Sequence, residues 1–179
     1  MPRIVGPVVE PAERLRIMRR AVRVLLIDPA ERLLLFQDSD PNIGARWWIL
    51  PGGGIDAGES EADAVRREVE EETGHRLADG AAAGPLARRH VVHGFSDVIV
   101  EQDETFYVAR TPAFEVDIAG HTELEQQTLQ QHRWWTRAEL AAAAEPIWPL
   151  GLTGLWDLVA TPERWPVDLG DIEESTVPV

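Results

Sequence analysis

Cysteine is absent from the 179-residue chain. That excludes disulfides, thiolate metal sites and cysteine nucleophiles together, and it fits a protein kept in the cytoplasm. Long apolar runs are missing as well. No stretch approaches the roughly 20 residues needed to cross a bilayer, and Met1 to Arg20 mixes charges and prolines where a secretory leader would be apolar. The expectation is a soluble, unsecreted chain with no membrane partner. Positive charge is scarce: 17 basic residues against 31 acidic ones leave a net charge of −14, with no basic group denser than Arg14, Arg16, Arg19 and Arg20. Sequence-independent affinity for nucleic acid depends on basic side chains displacing phosphate counterions, so duplex DNA and long RNA are not expected partners. A small phosphorylated molecule stays open, because a bound cation can offset an acidic field locally. There is no internal repeat.

What is present suits one domain. With 44% hydrophobic residues, the chain can bury one good core and is too short for two comfortable ones. Strand signals cover Arg20 to Asp28, Arg32 to Gln37, Trp47 to Leu50, Leu86 to Val92, Asp97 to Arg110 and Gln131 to Thr136. Helical signals cover residues 60–74, a turn near Glu123 to Gln130, Thr136 to Ala143 and Leu150 to Ala160. Interleaving of this kind predicts an α/β (mixed α+β) fold with a mixed sheet between helices. The expected organisation is an N-terminal extension over residues 1–19, a compact domain over 20–162 and an acidic tail over 163–179 whose last fifteen residues fray.

The most informative stretch is Gly53 to His75, a glycine turn running into an acidic helix. Ser60 stands at the N-cap with Asp63 three residues on, Glu61 and Asp63 put negative charge on the positive end of the helix dipole, and Gly74 supplies the stop. Ala62, Val65 and Val69 at i, i+3 and i+7 predict the buried stripe. At about 100° per residue, Glu68, Glu71 and Glu72 fall within an arc of roughly 100° bordering that stripe. An ordinary solvated face, helped by Arg67 and Glu71 at i,i+4 spacing, is one reading of these charges. Against it, Glu68 opposes Glu71 and Glu72 at a cost of about 0.2–0.5 kcal/mol per pair unless a cation neutralises them. Hard oxygen ligands, without cysteine or clustered histidine, select Mg²⁺ or Mn²⁺.

Gly53, Glu59 and the run Arg67-Glu68-Val69-Glu70-Glu71-Glu72-Thr73-Gly74 stand at spacings that resemble the signature of the Nudix hydrolase superfamily. His75 departs from it, at a packing position where the family has an aliphatic residue. The flanks resemble the family too: Trp47 to Gly54 as the strand and glycine loop before the signature, and Arg133 to Thr136 followed by Arg137 to Leu140 as its closing strand and helix. The resemblance covers roughly residues 20–160 and implies an α/β/α sandwich with a mixed β-sheet.

The same resemblance implies Mg²⁺-dependent hydrolysis of a pyrophosphate bond in a nucleoside diphosphate linked to another moiety, such as a nucleoside triphosphate or a nucleotide sugar, with Mn²⁺ as an alternative cation. Glu68, Glu71 and Glu72 would hold the metal, the Gly52 carbonyl would complete its coordination, and Arg67 would orient the glutamates. Glu59 would tie the loop, which includes Gly53 and Gly54, to the helix. The general base would be Glu68 or an acid on a later loop, where Glu101, Glu104, Glu123 and above all Glu125 are available. For substrate contacts the candidates are Arg46 and Arg89, with Arg23 and Arg88, for phosphates, and Trp48, with Trp47, Trp134 and Trp135, for a base. His90 and Val92 stand where ADP-ribose hydrolases carry proline and diadenosine polyphosphate hydrolases carry tyrosine, so neither marker is present. The competing expectation is a non-catalytic Nudix domain serving as a nucleotide-binding sensor or regulator, which calls for a decayed signature; here it is intact. Homodimers are common in such relatives and are a further expectation.

Overall fold

The structure, a computed structural model, describes residues 5–179. The first four residues of the expected N-terminal extension lie outside the described residues. Eight strands form one mixed sheet: β1 (Leu15–Ile27), β2 (Leu33–Asp40), β3 (Ala45–Ile49), β4 (Ala82–Gly94), β5 (Val98–Arg110), β6 (Gln131–Trp135), β7 (Ile147–Trp148) and β8 (Val167–Glu173). Four α-helices accompany them: α1 (Glu61–Thr73), α2 (Glu123–Thr128), α3 (Arg137–Ala141) and α4 (Leu152–Asp157). Strand order is β7-β3-β2-β1-β5-β4-β8, with β6 pairing β2. β1 lies parallel to β5 from Leu15↔Val98 to Ile27↔Arg110, while β4 and β5 form the antiparallel hairpin.

Residues 21–27 of β1 are buried on both faces, and strand alternation divides them between two cores. Val22, Val24 and Leu26 join Ala64, Val65 and Val69 of α1. Leu25 and Ile27 join Leu140 of α3 with Leu152, Leu155 and Trp156 of α4. The sheet therefore sits between α1 on one side and α3 and α4 on the other, as the sandwich reading expects. The stripe on α1 differs by one residue, since Ala64 is buried and Ala62 exposed. Among the described residues no helix is long and apolar enough to cross a membrane.

The acidic tail departs from expectation. Residues 167–173 form β8, parallel to β4, with Val167 and Leu169 packed against the α3–α4 core. Beyond it, the Thr176 N–H donates to the Gly94 carbonyl at 2.9 Å, and buried Glu174 takes a bidentate pair of hydrogen bonds from Arg89 at 2.7 and 2.8 Å. Fraying was inferred from charge and proline, yet a buried arginine on β4 supplies the counter-charge that composition does not show.

The β1–β2 turn rests on one carboxylate. Asp28 accepts from the backbone N–H of Ala30 and Arg32 at 3.0 and 2.8 Å and from the Arg32 guanidinium at 2.8 and 2.7 Å. Burial pushes the Asp28 carboxyl up, and the Arg32 hydrogen bonds more than offset this, leaving it below the usual value of 3.8. Its contribution to stability is thus present above that value and is lost as pH falls through the lower folded one. Asp28→Ala should lower unfolding free energy by about 1–3 kcal/mol near neutral pH, with the deficit shrinking in acid. Urea titrations at several pH values check this, and a deficit that does not change with pH would contradict it.

Candidate active site

The site begins with the helix start. The Ser60 side chain accepts from the Asp63 N–H at 3.2 Å, and its hydroxyl donates back to the Asp63 carboxylate at 2.6 Å. Gly74 ends α1 in the left-handed conformation at φ 70°. A helix held at both ends presents Glu68 and Glu72, both buried, to the glycine loop. That approach explains the loop's composition. A Cβ on Gly53 would lie 2.7 Å from the Glu68 carboxylate oxygens, and one on Gly52, at φ 131°, would lie 2.1 Å from the Val22 carbonyl oxygen.

Arg67 joins loop to helix. It donates to both oxygens of Glu59 at 2.9 and 2.8 Å, to the Gly54 carbonyl at 2.8 Å, to Glu68 at 2.7 Å and to Glu71 at 3.2 Å. The Arg67 hydrogen bonds hold the Glu59 carboxyl below its usual range.

The helix acids behave differently. Burial pushes the Glu68 carboxyl up, with Arg67 opposing and Glu125 and Glu71 adding to the rise. Burial raises Glu72 further still, reinforced by Glu68 and Glu125, although the Gly52 N–H donates to it at 2.8 Å. One carboxylate oxygen each from Glu68, Glu72 and Glu125 lies within 4.8 Å of the others. Three convergent carboxylates, with the charges of Glu68 and Glu72 disfavoured by burial and by neighbouring acids, fit a hard divalent cation. Glu125 comes from α2, where its other role is the helix cap, accepting from the Thr122 N–H at 2.6 Å.

Two expected ligands are placed otherwise. Glu71 is not among the three clustered carboxylates and points to Arg67. The Gly52 carbonyl accepts from Arg23 Nη1 at 2.8 Å.

Glu68, Glu72, Glu125, Arg67 and the glycine loop line a cavity of about 820 Å³, together with Arg19, Arg23, Trp47, His93, Phe95 and Trp148. Of the substrate candidates, Arg23 and Trp47 line this cavity and the others lie elsewhere. Trp48 is buried on the opposite face of β3, against Trp135, its indole N–H donating to Glu145 at 2.8 Å. Arg46 is exposed and, by alternation, shares that face. Arg89 is buried between Glu104 and Glu174 and borders a second cavity of about 600 Å³ with Arg88. Of the later acids, Glu101 pairs with Arg16 at 2.5 Å. Glu104 is fully enclosed; burial opposes its charge, yet Arg23 and Arg89 hold its carboxyl down to about 2, which makes it a poor base.

Sequence reasoning singled out neither Arg19 nor Phe95, which reach the cavity from β1 and from the β4–β5 turn. His93 also reaches the cavity. The His93 ring stacks on Trp148 with centroids 5.1 Å apart, its Nδ1 is 2.7 Å from the Glu174 carbonyl oxygen, and burial pushes its pKa down. Only strand alternation could have signalled these residues, and its phase is set by tertiary pairing.

The chain is similar to several known proteins. The chain is 32% identical over 110 residues to the nucleoside triphosphatase NudI of Enterobacter sp. (strain 638), a match covering 60% of this chain and 74% of that protein. It is 37% identical over 65 residues to a Bacillus subtilis (strain 168) protein whose name proposes 8-oxo-dGTP diphosphatase activity, covering 36% of this chain and 41% of that one. It is also 49% identical over 51 residues to an RNA pyrophosphohydrolase of Erythrobacter litoralis (strain HTCC2594), covering 27% and 30% respectively. The matches thus span less than half the length of two of these three relatives. Among solved structures, the NUDIX domain of Shewanella oneidensis NrtR, complexed with ADP ribose, superposes with a TM-score of 0.57 at 20% identity, covering 86% of this chain and 94% of that one. That likeness shows the fold alone. The NUDIX domain family profile matches residues 18–151. Its span runs from β1 to the start of α4 and takes in the glycine loop, α1 and α2, and the chain belongs to the NUDIX domain family.

Proposed function

We propose that this protein is a Mg²⁺-dependent hydrolase of a phosphoanhydride bond in a nucleoside diphosphate linked to another moiety, a nucleoside triphosphate or a nucleotide sugar. One observation carries the reading: the convergence of Glu68, Glu72 and Glu125 beside the glycine loop in a nucleotide-sized cavity. These three carboxylates would hold the cation, with Mn²⁺ as an alternative, and the cation when bound would neutralise phosphate charge and lower the pKa of water. Glu68 is suited to accept the water proton, since burial raises its carboxyl above the usual value and so makes it the stronger base. Arg67 fixes the Glu68 carboxylate and the Gly54 carbonyl with one guanidinium, so the base and the loop keep a constant relation. Trp47, Phe95 and Trp148 offer aromatic area for a base, and Arg19 and Arg23 bring positive charge to an otherwise acidic cavity. The names of the Enterobacter and Bacillus relatives support a nucleoside triphosphate.

Nucleotide and phosphate release should be measured across nucleoside triphosphates, nucleotide sugars, dinucleotide polyphosphates and ADP-ribose, with Mg²⁺, with Mn²⁺ and with chelator. The expected result is cation-dependent turnover on one class, abolished by chelator. Tight nucleotide binding without turnover on any of them would favour a sensor instead. Glu68→Gln and Glu72→Gln should each lower kcat by about 10²–10⁴-fold while remaining folded.

Stability should follow the same acids. Glu68 and Glu72 both have raised folded values, so without metal their contribution is fully present in acid and is lost as pH rises from the ordinary carboxyl value of 4.5 through the folded values. Saturating Mg²⁺ should remove that slope and, at about 100 times its Kd, add about 2.7 kcal/mol. Glu72→Gln should be at least as stable as the parent protein in chelator and gain less from Mg²⁺. Thermal melts over pH 5–8 check this; a parent melting point that ignores Mg²⁺ would contradict the cation site.

A further inference from the structure

We propose that the C-terminal segment is a working part of the site, and that Glu174 acts through Arg89, Glu104 and Arg23 as a positioning residue for the glycine loop and Glu72. The proposal rests on the hydrolase reading above and assigns a role to residues that reading does not use. The contacts form an unbroken series. Glu174 accepts from both terminal nitrogens of Arg89 at 2.7 and 2.8 Å, and Arg89 Nε donates to Glu104 Oε2 at 2.7 Å. Glu104 Oε1 accepts from Arg23 Nε at 3.0 Å, and Arg23 Nη1 donates to the Gly52 carbonyl at 2.8 Å and to the Leu50 carbonyl at 3.3 Å. The Gly52 N–H then reaches Glu72 at 2.8 Å. Gln102 donates to Glu104 at 2.6 Å, and the Leu150 N–H donates to Glu174 at 2.6 Å, which adds one further donor at each carboxylate.

Two features separate this series from an ordinary structural ion pair. The side chains of Glu174 and Glu104 are fully buried, that of Arg89 is 3% exposed and that of Arg23 10%, so four charges are sequestered where apolar packing is often at least as stabilising. The series also ends on a glycine at φ 131°, a residue without a side chain of its own to hold its place. Each guanidinium fork fixes direction as well as distance, so displacement at Glu174 is passed to the Gly52 peptide and to the carboxylate it touches. Glu72 is a proposed ligand, and groups that orient ligands typically alter metal affinity or activity by about 10–100-fold when removed.

The test compares the parent with Glu174→Gln and with Leu169→Ala, a tail residue that packs on the core and whose apolar side chain forms no hydrogen bond or ion pair with the series. The readouts are thermal midpoint, kcat, KM and Mn²⁺ dissociation constant by electron paramagnetic resonance. Glu174→Gln should lower kcat and weaken Mn²⁺ by about 10-fold or more, with KM within about threefold of the parent. Leu169→Ala should lower the thermal midpoint and leave kcat and Mn²⁺ affinity unchanged. Equal kinetic losses in both variants, or a folded Glu174→Gln variant with parental kcat and Mn²⁺ affinity, would overturn the proposal. If Glu174→Gln does not fold, the parent decides it: Mg²⁺ titration should shift the Nε–H resonances of both Arg23 and Arg89, and leave that of Arg137 on α3 in place. An unmoved Arg89 resonance at saturation would overturn the relay. A parent that neither binds Mg²⁺ nor turns over would instead sink the hydrolase reading on which it rests.

Discussion

The two edges of β1 govern the molecule. One edge pairs with β5 along the whole strand, in a parallel register that commits every residue of β1 to a face. The other edge changes partner: it meets β2 at Ile27, and lower down it belongs to the glycine loop. There the Val22 N–H donates to the Gly53 carbonyl at 3.0 Å, the Val24 N–H to the Pro51 carbonyl at 2.9 Å, and the Ile55 N–H to the Arg20 carbonyl at 2.9 Å. A loop that would otherwise be free is thereby an extension of the sheet. Because alternating β1 residues also pack on α1, the same strand sets the distance between the loop and the helix glutamates.

The electrostatics sort the acids by whether a guanidinium fully covers them. Glu59, bound by Arg67, and Glu104, between Arg23 and Arg89, are held as carboxylates despite burial. Glu68 and Glu72 receive partial compensation and are pushed up. One chemical group therefore serves two ends. Covered acids organise the arginines, whereas under-compensated acids leave a local excess of negative charge that a cation can relieve. The chain carries no lysine, so each of these contacts is made by a planar, always-charged fork that can reach two or three acceptors in fixed directions.

Much of this was legible in the sequence wherever the signal was local. Helix α1 is specified by its own caps, stripe and spacing, and Arg67, Glu59, Glu68 and Glu72 all lie within that helix and the turn before it, where the family resemblance is carried. Legibility failed where a partner lies far along the chain. Glu71 is a separate case: it looks equivalent to Glu68 and Glu72 by helical angle, and the i,i+4 pair with Arg67 visible in the sequence is the one that forms, while Glu125, read as a candidate base, joins the two acids from a separate helix. Arg89 reads as a strand-flanking cation because Glu174 is 85 residues away. Trp47 and Trp48 are adjacent and chemically alike, and only the register of β3 against β2 decides which of them faces the cavity. The tail was misread for the same reason: charge density predicts solvation, and only a long-range partner reverses it.

Glycine is what makes the site possible and also what would leave it loose. Glu68 and Glu72 approach the loop backbone so closely that a Cβ at Gly53 would be in collision, and Gly52 adopts a φ that other residues avoid. Backbone this unrestricted loses much entropy on ordering and has no side chains to anchor it. The constraint is instead applied from outside, atom by atom. Arg23 takes the Gly52 carbonyl, the Val22 N–H takes that of Gly53, and Arg67 takes that of Gly54, while Glu72 receives the Gly52 N–H. Three consecutive carbonyls are thus held by three donors, from β1 and α1. A site lined by glycine backbone depends on the rigidity of what surrounds it, which places the arginines of this acidic protein at the centre of its architecture.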